Sequence, residues 1–273
     1  MKKSAKVSQY LNKGWEFRLP DGKDWVKANI PGNIHLDLIN NELIPDPFFG
    51  KNELELQWIS DRDWTYRLFF TPDKDIQDRK NKEICFYGID TYADIFLNNE
   101  KIISSNNMFH PWFANVNDVL LPGMNELTIV LRSPIKEVLP LMESLGHTLP
   151  AENDQAGKTS PFTRKAPYHY GWDWGPCFVT SGIWKKVELF AWDDWQLADI
   201  SITNNKVNDS IAELNVYANL FSTIQEDGKM VITESKTGKS IEYPIQIKEG
   251  DNELEYSFTI DKPELWWPAG HGD

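Results

Sequence analysis

The stretch Gly171-Trp172-Asp173-Trp174-Gly175-Pro176 places one carboxylate between two indoles, with a glycine on each side. Flat indoles stack on the apolar face of a pyranose, and an ionised carboxylate accepts hydrogen bonds from sugar hydroxyls. The pattern therefore fits a carbohydrate subsite. It also fits two core tryptophans of a β-sandwich flanking a turn aspartate. Burying the Asp without a partner costs several kcal/mol, so it must face hydroxyls, a cation or water. Arg164 and Lys165 precede the loop. They fit either cations that pair with Asp173 and hold it ionised or solvated loop charges, and the ion pair is the expectation.

Other chemistries find less support. The five histidines, His35, His110, His147, His169 and His271, are dispersed, with no zinc-type spacing and no Ser-His-Asp order. Cys85 lies in the apolar run Ile84-Cys85-Phe86-Tyr87, and Cys177 follows the tryptophan motif. Two cysteines make no disulfide framework; free thiols are expected, with a single bridge as the alternative. No Gly-rich phosphate loop is present, so no nucleotide and no other cofactor is implied. A net charge of −13 over 273 residues repels a phosphate backbone and excludes nucleic acid as an expected partner. No run approaches the ~18 apolar residues of a membrane span, and no basic amphipathic stretch suits an anionic membrane surface. A neutral glycan is indifferent to this charge, and 12 tryptophans in one chain suit either a sugar surface or a sandwich core. Met1-Lys2-Lys3-Ser4-Ala5-Lys6 lacks an apolar h-region and is not an intact signal peptide, which reads as cytoplasmic at face value and as periplasmic or secreted if a signal was trimmed.

Most of the chain alternates with the period of a strand. Strands are expected at 64–70, 83–89, 92–97, 101–103, 126–132 and 184–190, with Asn98-Asn99-Glu100 as a hairpin turn. Residues 33–42 and 135–145 carry helical spacing, the second kinked or split by Pro140. The 146–167 segment is long for a connection and leads straight into the tryptophan motif, a position where long loops are often functional. Beyond Trp192-Asp193-Asp194-Trp195, strands are expected at 196–204, 211–221, 229–234, 240–247 and 253–260, with turns at Asp227-Gly228 and Thr237-Gly238-Lys239. Gly123-Met124-Asn125-Glu126-Leu127 and Gly250-Asp251-Asn252-Glu253-Leu254 share a five-residue pattern, read as common turn chemistry rather than a repeat. The fold expected is all-β: a jelly-roll sandwich over 8–193, an immunoglobulin-like sandwich over 194–265, and the start of a linker at 266–273.

Several segments in fixed order resemble the N-terminal part of β-mannosidases of glycoside hydrolase family 2. They are Gly14-Trp15-Glu16-Phe17, Ile30-Pro31-Gly32-Asn33-Ile34-His35, Leu43-Ile44-Pro45-Asp46-Pro47-Phe48-Phe49-Gly50, Gln57-Trp58-Ile59 and Asp63-Trp64-Thr65-Tyr66. Arg164-Lys165 with 171–176, and Leu265-Trp266-Trp267-Pro268 with Gly270 and Gly272, complete the set. The resemblance runs from Gly14 to the last residue. It implies a retaining exo-hydrolase of terminal β-D-mannosides, with both catalytic glutamates on a (β/α)8 barrel that this chain lacks. It also implies that Trp172 and Asp173 line the terminal-sugar subsite, with Trp174 behind them and the barrel as partner. The family's acid/base glutamate follows an asparagine. Asn-Glu occurs at 41–42, 52–53, 99–100, 125–126 and 252–253, each read as a turn, a loop or a helix end, so no catalytic residue is carried over. A free-standing carbohydrate-binding module, and a part of a related exo-β-glucosaminidase or endo-β-mannosidase, are the alternatives.

Overall fold

The computed structural model describes residues 6–19 and 22–271. Met1–Ala5, in the segment read for a signal peptide, and Gly272–Asp273, at the end of the expected linker, lie outside it. Contacts divide the described chain into one unit spanning Val7–Ala191 and another from Trp192 onward.

The first unit is a β-sandwich. One sheet has six strands in the order β3-β2-β4-β10-β7-β8: β2 Glu16–Arg18, β3 Val26–Lys27, β4 Trp64–Phe70, β7 Tyr92–Leu97, β8 Glu100–Asn106 and β10 Asn125–Leu131. The other has four, in the order β1-β12-β5-β9: β1 Val7–Tyr10, β5 Asn81–Phe86, β9 Trp112–Asn115 and β12 Val187–Trp192. A short antiparallel pair, β6 Ile89–Asp90 with β11 Gly182–Ile183, stands apart from both. No sheet of the described residues approaches the eight parallel strands of a (β/α)8 barrel.

Strict alternation builds the six-stranded sheet. Trp64, Tyr66, Leu68 and Phe70 of β4 face inward, opposite Leu131, Ile129, Leu127 and Asn125 of β10. Ile129 and Leu127 in turn face Ile95 and Leu97 of β7. Val187, Leu189 and Ala191 of β12 and Ile84 and Phe86 of β5 close the core from the other sheet. Each such apolar side chain contributes roughly 1.5–3 kcal/mol on burial, so the sandwich is held chiefly by this layer. Asn98 and Asn99 adopt left-handed φ of 52° and 70°, as a tight hairpin between β7 and β8 requires.

The first helix, α1 (Ile34–Asn40), starts at Asn33, whose side chain accepts from the Leu36 amide at 3.1 Å. The Asn52–Glu53 stretch, read as a loop, forms a single helical turn, α2 (Asn52–Glu55). A third short helix, α3 (Lys74–Gln77), follows β4. Pro140 divides the 135–145 segment as expected: a 3-10 turn over Lys136–Val138 gives way to α4 (Leu139–Leu145), capped by Gly146 at φ 72°.

The second unit pairs a three-stranded sheet, β13 (Trp195–Val207), β14 (Ile211–Ser222) and β17 (Gly250–Asp261), with a two-stranded one, β15 (Glu226–Thr233) and β16 (Ser240–Ile247). Leu220, Ile245 and Ile247 form its core. The turn expected at Asp227-Gly228 is instead inside β15, where Gly228 pairs with Ile245. A Cβ there would meet the Ile245 and Ile247 side chains only at ordinary contact distances of 3.4–3.6 Å, so neither a turn nor close packing calls for this glycine. The shared Gly-x-Asn-Glu-Leu pattern is one turn made twice. Asn125 accepts from the Leu121 amide (2.8 Å) and donates to the Leu121 and Gly123 carbonyls; Asn252 does the same with Lys248 and Gly250.

Candidate functional site

The tryptophan loop stands on the first unit as an excursion from Lys165 to Thr180. Its tip is open to solvent: Trp172 is 45% exposed, Trp174 is 84% exposed, and Asp173 is exposed between them. The core-packing reading of the two indoles is therefore excluded. The indoles meet edge to face, with centroids 6.4 Å apart at 87°, so each braces the other.

Three sets of contacts brace the tip. On the entry side, the Gln155 amide donates to the Tyr170 carbonyl at 2.8 Å. Asp154 organises that neighbouring turn by accepting from the Ala156 and Ser160 amides at 2.7 and 2.8 Å. Gly171 sits at φ 117°, and a Cβ there would lie 2.6 Å from the Asn153 carbonyl oxygen, so only glycine fits this crossing. On the exit side, the Cys177 amide donates to Glu53 Oε1 at 2.6 Å, and Gln57 Nε2 donates to the Cys177 carbonyl at 2.9 Å. Beneath both, the Lys165 ammonium pairs with Asp90 Oδ2 and donates to the Thr180 carbonyl at 2.9 Å. A cleft of about 330 Å³ opens beside Trp172, lined among others by Glu152, Asn153, Pro161, Pro167 and Gly171.

The expected pairing of Asp173 with the two preceding cations is corrected. Lys165 is buried at 3% exposure and faces Asp90, on the opposite side of its backbone from solvent. Arg164 is exposed, and its backbone bridges Asn107. The reason is a local bend: the Lys165 amide donates to the Thr163 carbonyl at 2.8 Å just after the Arg164 bridge, and the two neighbouring side chains end in different surroundings, one buried and one exposed. Among the described residues no cation pairs with Asp173, which is exposed and open to hydroxyl donors.

Around the Lys165–Asp90 pair lie two imidazoles. His169 Nδ1 is 3.3 Å from Thr180 Oγ1 and 4.0 Å from Asp90 Oδ2. His35 is buried against Phe178, and its Nδ1 has no partner among the described residues. Burial, reinforced by the Lys165 charge and opposed by Asp90, lowers both imidazoles to about pKa 4. Burial also lowers the Lys165 ammonium, against the pull of Asp90. Both histidines are expected to stay neutral in the folded protein, while in the unfolded chain they protonate near pH 6.5. Stability therefore declines as the pH falls from about 6.5 to about 4. NMR titration of the imidazole nitrogens checks this; midpoints near 6.5 for His35 and His169 would contradict it.

Cys85 and Cys177 are free and buried. Burial, with Asp154 and Glu53 nearby, pushes the Cys177 thiol up to about 11, so it is no nucleophile at neutral pH. Sequence reasoning missed Asp90, Thr180, Glu53 and Gln57 as loop anchors. Asp90, a carboxylate closing an apolar strand with no turn after it, was the one local signal available.

A family model described as the glycosyl hydrolase 2 galactose-binding domain-like family matches residues 15–185. The chain belongs to that family. The glycosyl hydrolase 2 match covers the braced loop, the whole six-stranded sheet and β5 and β9 of the other, with β1 and β12 just outside it. Among curated relatives, β-mannosidase B of Thermothelomyces thermophilus is 34% identical over 275 residues, covering 96% of this chain and 30% of the relative. Among solved structures, a β-D-mannosidase from Dictyoglomus thermophilum superposes with a TM-score of 0.90 at 37% identity, covering 98% of this chain and 33% of that one. An exo-chitosanase of Amycolatopsis orientalis shares the fold, with a TM-score of 0.71 at 16% identity over 97% of this chain and 30% of that one. The chain thus spans about a third of the length of these glycosyl hydrolase 2 relatives.

Proposed function

We propose that this chain is the substrate-lending N-terminal part of a retaining exo-β-mannosidase that releases terminal, non-reducing β-D-mannose. The observation that carries the reading is an exposed Trp172–Asp173 pair on a braced loop, in a chain whose relatives at 34% and 37% identity bear the β-mannosidase name. Trp172 offers an apolar ring face to the sugar, and Asp173 accepts from hydroxyls remote from the anomeric carbon. Such bonds orient the ring and lower the barrier where they tighten in the transition state.

The two carboxyl groups of a retaining hydrolase stand about 5–5.5 Å apart. In this reading both come from a barrel carried by the longer protein. The asparagine-glutamate pairs of this stretch have other work. Asn41 ends α1, Glu53 holds Cys177, Asn99 turns the hairpin, and Asn125 and Asn252 bracket strand starts. Residues 8–193 act as the sugar-binding domain, 194–265 as an immunoglobulin-like spacer, and the segment from 266 leads toward the barrel.

Hydrolysis of an aryl β-D-mannoside tests the reading. The longer protein is expected to release the aryl group, with β-glucosides and β-galactosides turned over far more slowly, and residues 1–273 alone are expected to release none. Turnover by the 273-residue stretch, or none by the longer protein, contradicts the reading. Saturable calorimetric binding of manno-oligosaccharides to the stretch alone, without hydrolysis by the longer protein, would identify a free-standing binding module instead.

A further inference from the structure

The tip of the loop makes little contact of its own. Within 172–176 the backbone bond is the long one from the Gly175 amide to the Trp172 carbonyl, at 3.4 Å. The pose of Trp172 and Asp173 is therefore set by where the chain enters and leaves. Entry and exit meet at one buried point. Lys165, whose side chain is fully buried, directs its ammonium to Asp90 Oδ2, to the Thr180 carbonyl at 2.9 Å and to Thr180 Oγ1 at 3.2 Å. The Thr180 hydroxyl in turn donates to Asp90 Oδ2 at 2.8 Å, and the Thr91 hydroxyl donates to Asp90 Oδ1.

This arrangement uses all three donors of a lysine and ties residue 165 to residue 180 across the loop. Asp90 does not move with the loop, because it lies on β6 and pairs with Gly182 of β11. That strand is held in turn by the approach of Gly182 to Gly32 and Asn33, where a Cβ would lie 2.6 Å from backbone atoms. Desolvating two charges costs several kcal/mol per ion, and an apolar contact of equal volume is often as stable, so a stability role alone does not account for the pair. Closing a loop at its base, by contrast, removes conformations that the tip would otherwise sample.

We propose that Asp90, Lys165 and Thr180 form a clasp that closes the base of the 166–179 loop and fixes the pose of Trp172 and Asp173. The three are positioning residues, since none of them reaches the tip. The inference rests on reading that tip as the sugar wall, but the clasp itself is testable without any sugar.

Amide hydrogen exchange on the chain carrying Asp90→Asn together with Lys165→Met is the test. Removing both charges leaves no unpaired ion, so the sandwich is expected to stay folded, with β4 and β10 amides as protected as in the wild type. Amides of 166–179 are expected to exchange at least tenfold faster, and the Trp172 indole resonance to shift and broaden. Unchanged exchange across 166–179 in a folded double variant overturns the proposal. Should the double variant not fold, the wild type decides. A clasped Lys165 ammonium gives a slowly exchanging ¹⁵N resonance at neutral pH with contacts to Thr180, and the absence of that resonance overturns the proposal. In the longer protein, faster exchange in the double variant combined with an unaffected Asp173→Ala would refute the sugar-wall reading and leave the clasp standing.

Discussion

Replacing Lys165 with Met alone is expected to destabilise the first unit by about 3–5 kcal/mol. The cause is the carboxylate that remains. Asp90 is 4% exposed at its side chain, and it would keep only the Thr91 and Thr180 hydroxyls as donors once the ammonium is gone. Two neutral hydroxyls do not replace the hydration that a buried carboxylate gives up when its counter-ion is gone. For a unit of this size the loss corresponds to a fall in Tm of roughly 10 °C, read by calorimetry or circular dichroism. Adding Asp90→Asn to Lys165→Met is expected to return most of that stability, because the orphaned charge disappears with it. The two substitutions are thus strongly non-additive, which a double-mutant cycle measures directly. Additive effects, or a Tm unchanged by Lys165→Met, would show that the pair is solvated in solution.

Gly171→Ala is expected to cost about 2–4 kcal/mol, through two effects at one atom. A residue with a side chain is strained at φ 117°, and its Cβ would lie 2.6 Å from the Asn153 carbonyl oxygen, a backbone atom that cannot rotate away. Relief requires the loop to lift from the 153–155 turn, breaking the bond between the Gln155 amide and the Tyr170 carbonyl. Gly175→Ala is the control. Its Cβ would meet only the Trp172 side chain, at 3.2 Å, so a small adjustment suffices. Thermal melts of both variants, with exchange at the Gln155 amide, separate the cases. Equal melting temperatures for the two would contradict the crossing geometry.

The fold was legible wherever periodicity is local. The span of β4 matches the aromatic, β-branched run from Trp64 to Phe70 residue for residue, because every second side chain there enters the core. The Asn98-Asn99 turn and the Asn33 cap follow from side chains that satisfy their own backbone neighbours. Asp227-Gly228 misled for the same local reason: the dipeptide reads as a turn until the facing strand β16, which pairs Gly228 with Ile245, is known.

The site was half legible. The composition of the loop singled out Trp172, Asp173 and Trp174, and the structure places all three together on an exposed tip. What holds the loop was hidden. Asp90 and Lys165 are 75 residues apart, and Glu53 and Cys177 are 124 apart. No period or motif in one sequence couples positions so distant. The nearest carboxylate to Lys165 in sequence is Asp173, whereas the chain bends at Lys165 and buries its ammonium against Asp90 of β6.

The kinetic effect of Asp173→Ala in the longer protein, with an aryl β-D-mannoside as substrate, tests the central claim most directly. A carboxylate that accepts hydroxyl bonds is worth about 1.5–3 kcal/mol, so kcat/KM is expected to fall by roughly 10- to 150-fold. Because Asp173 is exposed and lies on no core contact, the melting temperature is expected to stay within about 2 °C of the wild type. An unchanged kcat/KM in a folded Asp173→Ala variant would contradict the account, leaving the Trp-Asp-Trp tip with no part in holding the sugar.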